Sequence, residues 1–344
     1  RLVRAGFGLA LIGLGVVVAM GTLDARERRL LALDDHVLHG RWEAALGMAS
    51  RLRVVSPHLG PRVFLALYHR GRLLEACFAY PLGPAQGTPP GIKAFYIEVE
   101  PDRGSQVQLA LACVNEAEHL AHEALETMGE YPPVLKRLAI INVLKGHPEA
   151  AKRFLGVLDR TLWHRGWSAE FRRALEADAA LAGHPVVRRI RSLMPTTDRV
   201  AGADTRAALH HTLAEHPENR MAFEYLMLEA LLSHRPDRVV DNLPRLRRLA
   251  YDRLPRHLQE AVLHHLQRTR QRRINLYGHT IDRTTVQRYN VFLKRLAQHK
   301  DDAQAAWDAL ATDFGSTYWF FDAFGCTAAG RRGPPIAERE GNRP

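Results

Sequence analysis

The sequence predicts an all-α protein in which one N-terminal transmembrane helix is followed by an α-solenoid of helical hairpins. Two observations carry this. The stretch Ala5–Leu23 holds no charged residue. After Asp24 the chain reads as helix after helix, punctuated by a recurring turn. The expected organisation is a transmembrane helix at 1–23 and a helical-repeat region at 24–191 with a Pro/Gly-rich insertion at 81–106. A linker at 192–205, a second helical-repeat region at 206–329 and a flexible tail at 330–344 follow.

A helix over Ala5–Leu23 covers roughly 28 Å, close to one hydrocarbon core. Unsatisfied backbone is costly in lipid, so the run is helical despite its glycines. Gly6 with Ala10, and Gly15 with Ala19, form small-xxx-small pairs that let a second helix approach closely. The competing reading is a signal peptide, with a basic start at Arg1–Arg4 and a poor cleavage site at Ala19-Met20-Gly21. A retained single-pass helix is expected instead. The chain opens on Arg1 rather than Met, so further sequence upstream is expected too. Basic residues flank both ends of the span, which leaves the side of the soluble part open.

The repeat signal comes next. Gly40-Arg41-Trp42-Glu43-Ala44-Ala45, Gly71-Arg72-Leu73-Leu74-Glu75-Ala76, Gly146-His147-Pro148-Glu149-Ala150-Ala151 and Lys300-Asp301-Asp302-Ala303-Gln304-Ala305 each place Ala five residues after a turn position. Two antiparallel helices joined tightly need Gly or a small polar residue where the first one ends. A small Ala early in the second helix lets the backbones close up. Proline then starts the next pair, where its missing N–H is harmless. The pattern resembles the tetratricopeptide-type hairpin, without most of its aromatic positions. Gly40, Ala45, Gly71, Ala76, Gly146, Ala151 and Ala305 are therefore the expected repeat-packing residues.

Interruptions follow in order. Within 81–106, the run Phe95-Tyr96-Ile97-Glu98-Val99 suits a short strand. Residues 192–205 are linker-like, Arg268–Thr285 is basic and turn-rich, and 330–344 carries adjacent prolines.

The string Asn219-Arg220-Met221-Ala222-Phe223-Glu224-Tyr225-Leu226-Met227, with Leu231-Leu232, Leu258-Gln259-Glu260-Ala261, Tyr318-Trp319-Phe320-Phe321 and Arg137-Leu138-Ala139, resembles a bacterial membrane-protein family of unknown function. The resemblance spans most of residues 30 to 325. It implies a membrane-spanning N-terminal part joined to a soluble helical-repeat region, with further membrane segments upstream in many members. It implies no catalytic residue, because its motifs are helix-packing positions.

Chemistry-bearing patterns are sparse. Glu116, His119 and Glu123 share one helical face, with His122 adjacent, which is ligand chemistry for zinc or iron. The order is not His-Glu-x-x-His, and no second Glu-x-x-His completes a di-iron pair. An exposed repeat face is the expected reading, with no metal and no cofactor. His210-His211 and His264-His265 diverge by about 100° around a helix and cannot chelate one ion unaided. Cys77, Cys113 and Cys326 form no Cys-x-x-Cys. Phosphate-loop, dinucleotide and Gly-x-Ser-x-Gly fingerprints are absent from the sequence.

The chain carries a formal +11, and still about +9 once Arg1 and Arg4 are set aside. Its arginine clusters lie at 188–191, 245–248 and 268–273. They suit a solvated, ion-paired face or contact with anionic lipid headgroups. Without aromatic interleaving, nucleic acid is not an expected partner. The expected role is a membrane-anchored scaffold or accessory subunit whose partners are other membrane-protein subunits, not an enzyme. The alternative is an accessory domain of a larger multi-spanning membrane enzyme or transporter whose active part lies upstream. A metal-dependent enzyme centred on His119 and His122 is a third reading.

Overall fold

The computed structural model describes residues 25–52, 59–82, 100–197 and 205–330, together with 11, 13–15 and 21. All regular elements among them are helical. Gly6, Ala10 and Ala19 lie outside the described residues, as do the Phe95–Val99 run, residues 198–204 of the linker and the tail beyond 330. Gly15 is helical, with nothing within 4 Å of the place a Cβ would occupy. No helix among the described residues is long and apolar enough to cross a membrane.

Among the described residues, one turn is used five times. It joins α1 (Ala25–Leu38) to α2 (Trp42–Ala49), α3 (Gly60–His69) to α4 (Leu73–Ala76), α5 (Pro101–Ala110) to α6 (Val114–Met128), and α7 (Pro132–Leu144) to α8 (Pro148–Leu158). After α9 (Arg165–Ala177), α10 (Pro185–Arg191) and α11 (Thr205–Glu215), it recurs between α12 (Arg220–Leu232) and α13 (Pro236–Asn242). The pivots are Gly40, Gly71, Ala112, Gly146 and His234, all with positive φ. In each, the residue after the pivot sends its N–H five residues back, as Arg41 does to His36 (2.8 Å) and Arg235 to Ala230 (2.9 Å). The left-handed pivot thereby satisfies carbonyls that the helix end would otherwise orphan. The second helix of each pair begins two residues later. Five residues after the pivot stand Ala45, Ala76, Ala117, Ala151 and Val239; all are fully buried except the half-buried Ala76.

The string at Lys300 is built differently. No positive φ occurs there; Asp302 caps α16 (Ala303–Phe314) by accepting the Ala305 N–H at 2.9 Å. Ala305 itself is half-buried, and Ala306 takes the core position. The last six residues of the 81–106 stretch are not irregular either: Pro101 opens α5, where its missing donor costs nothing.

Most consecutive helices pack on each other, and so do the first helices of the first four hairpins: α1 on α3, α3 on α5, α5 on α7. A charge ladder runs along that second set of contacts. Asp34 of α1 pairs with Arg62 of α3 and with Arg103 of α5 (3.1 Å). Arg62 reaches Glu100 at 2.6 Å, and Asp102 of α5 accepts from Arg137 of α7 at 3.0 Å. Arg62, Asp102, Arg103 and Arg137 are all buried. Buried charges persist only when paired, so each rung fixes the register of two helices.

The first and last described helices share one core. Its cluster draws on α1 to α4 and on α11 to α13, α14 (Arg256–Thr269), α15 (Arg283–Gln298), α16 and α17 (Tyr318–Phe324), with Val107 of α5 and Leu120 of α6, while the rest of α5 to α10 holds a second cluster around Leu135, Ile141 and Leu155. Helix α4 joins the two ends by packing on α12 and α14. Thr327 completes the junction: its N–H donates to Leu82 O at 2.9 Å and its hydroxyl to Tyr80 O at 2.6 Å.

Candidate functional site

Where α4 meets α12 and α14, two recesses share Glu75 and Arg253, with volumes of about 500 and 250 Å³. Arg253 lies 3.5 Å from Glu75. The larger recess is floored by Glu224, which is 2% exposed. Its Oε1 accepts from Arg220 Nε at 2.8 Å and from the Tyr251 hydroxyl at 2.9 Å, while Oε2 is buried without a hydrogen-bond partner. Burial outweighs these donors and pushes the carboxyl above its usual range. The Tyr251 hydroxyl is raised as well, by burial and then by Glu224. The Arg220 guanidinium lies over the Tyr251 ring, 4.4 Å from its centre.

Glu260 floors the smaller recess and caps α17. Its carboxylate accepts from Arg256 Nε, from His257 Nδ1 and from the Tyr318 N–H, each at 2.8 Å. Its backbone oxygen takes the Trp319 indole N–H at 2.8 Å. Burial alone would raise this carboxyl; His257 and Arg256 outweigh it and hold it below the usual range. A negative charge at a helix N-terminus is favourable in itself. His257 Nε2 is buried with no partner, and its ring meets Phe78 edge-on.

A third recess of about 520 Å³ is lined by Arg206, His210, Arg238 and Arg245 around the buried Glu229. All three are polar clefts in which guanidinium groups face carboxylates. That arrangement suits a peptide segment carrying both signs of charge.

The sequence-singled metal residues do not converge. His119 pairs with Glu123 at 3.3 Å on an exposed face, Glu116 is buried, and the His122 ring tilts against Phe154. No group among the described residues is arranged to hold a metal ion. Cys77, Cys113 and Cys326 are buried free thiols. The arginine clusters are partly spent on carbonyls: Arg189 donates to Ala110 O and Arg191 to Ala180 O. Sequence reasoning missed Glu224, Glu229 and Glu260, since an acid inside an apolar helix carries no mark of its partners.

A family model described as a family of unknown function (DUF6057) matches residues 3–325. No curated protein and no solved structure matches the chain.

Proposed function

The chain belongs to the DUF6057 family of unknown function, and we propose that it is a membrane-anchored helical-repeat scaffold, an accessory subunit of a membrane-protein complex. The observation that carries this reading is the fivefold recurrence of one hairpin turn among the described residues, with the first helices of the first four hairpins stacked in succession. Hairpins stacked in succession, as α1, α3, α5 and α7 are, build extended surfaces on which partners dock. The recess over Glu224 and Arg253 adds a polar cleft where α4 meets α12 and α14.

The anchor is the charge-free stretch Ala5–Leu23. Its described residues Leu11 and Leu14 expose their side chains, as a lipid-facing helix does. Anchoring confines the repeat region to the membrane and raises its effective concentration near membrane partners.

Purification of the full chain in mild detergent, with its native membrane, tests the proposal. A stoichiometric membrane-protein companion is expected, lost when the exposed Arg72 and Arg253 are both changed to Glu. A chain that emerges alone and monodisperse overturns the reading.

A further inference from the structure

The turn between α8 and α9 exposes two large apolar side chains in succession. Leu162 is 66% exposed and Trp163 84%, the highest value among the exposed large apolar residues described. Other tryptophans are placed otherwise: Trp167 stacks on Phe171, and Trp307 and Trp319 are buried. Arg160 and Arg165 flank the pair, both exposed, and neither forms an ion pair with a described residue. Asp159, next to Arg160 in the sequence, is already held by Arg172 at 2.6 Å.

We propose that this turn is an interfacial membrane contact, in which Leu162 and Trp163 enter the boundary between headgroups and acyl chains of an anionic bilayer while Arg160 and Arg165 meet its phosphates. Three features select lipid over a protein partner. Indole rings favour the headgroup level, where one edge is wet and the body is apolar. Unpaired cations beside them match an anionic leaflet. Two side chains on one turn are a small apolar area, whereas a stable protein interface needs a broader buried patch. The contact stands on the turn itself; an anchor at Ala5–Leu23 would only bring it close.

The leading segment contains no tryptophan, so its own insertion is silent in tryptophan emission. Full-length protein is reconstituted into phosphatidylcholine–phosphatidylserine vesicles whose acyl chains carry bromine, a contact quencher. Five tryptophans emit, so the wild type is expected to lose roughly a fifth of its emission as Trp163 enters the quenching zone. Trp163→Phe should show no such loss. Arg160→Glu with Arg165→Glu, or vesicles of phosphatidylcholine alone, should at least halve the loss in a chain that keeps Trp163. Equal quenching of the wild type and Trp163→Phe in vesicle-bound protein overturns the contact alone. A chain that does not associate with anionic vesicles at all overturns both the anchor and this contact.

Discussion

His234 Nδ1 lies 2.9 Å from Asp322 Oδ1, which ties the α12–α13 turn to α17. The other oxygen of Asp322 is 3.0 Å from His264 Nε2 on α14, and His264 Nδ1 lies 3.1 Å from the Tyr289 hydroxyl on α15. His234 thus serves twice. Its backbone takes the left-handed pivot at φ 57, and its ring stacks on Phe321 while reaching the carboxylate. A glycine would fill the first role and abolish the second.

Burial on its own would raise the Asp322 carboxyl, but His234 and His264 outweigh it and hold it well below the usual carboxylate range. A depressed carboxyl contributes stability above its ordinary value of 3.8 and loses it as pH falls through the folded value. Asp322→Asn is expected to lower stability by about 1–3 kcal/mol at neutral pH. The difference from wild type should close below about pH 4, measured as melting temperature against pH. A difference that persists unchanged into acid would assign the loss to packing.

The ladder from Asp34 to Arg137 predicts a larger effect. Arg62→Met removes the cation that Asp34 and Glu100 share in a half-buried setting; Asp34 keeps Arg103 at 3.1 Å, so the cost falls at the low end of about 3–5 kcal/mol. Arg62→Lys recovers only part of it, because an ammonium cannot fork between two carboxylates. Urea midpoints of the three proteins give the order wild type, Lys, Met; equal midpoints would reduce the ladder to decoration.

The pivots allow a sharper comparison. Gly146 has φ 77 and open space around a would-be Cβ, so only backbone strain opposes Gly146→Ala, at about 1 kcal/mol. Ala112 adopts φ 68 with its methyl fully buried in the second core. Ala112→Gly relieves a similar strain but forfeits a methyl worth about 0.8 kcal/mol, so it should be neutral within about 0.5 kcal/mol. Thermal melts of both variants check the pair.

That comparison also explains what the sequence could reveal. Gly40, Gly71 and Gly146 announce their turns because only glycine adopts positive φ freely. Ala112 and His234 make the same turn for local reasons of packing and pairing that no single residue type signals. The ladder is equally silent: Asp34 and Arg62 lie 28 residues apart, and in a sequence each reads as a surface charge. The Glu116–Glu123 string shows the converse, since helical spacing put its acids and histidines near one face without making them converge. Helix content follows from local pattern, whereas the polar recesses depend on which helices the shared core brings together.

Glu224 sets two opposing effects against each other. Burial raises its carboxyl, so the folded protein binds a proton more readily than the unfolded chain. Such a group costs stability as pH rises from its ordinary value of 4.5 through the folded value. Glu224→Gln keeps an acceptor for Arg220 and Tyr251 and removes the desolvated charge, while Arg220, with its side chain 44% exposed, remains solvated. The variant should therefore match or exceed wild type at neutral pH, by up to about 1 kcal/mol, and converge with it towards pH 4. If the variant is instead destabilised by more than about 1 kcal/mol at neutral pH, the Arg220 ion pair outweighs desolvation, and the recess is held by charge.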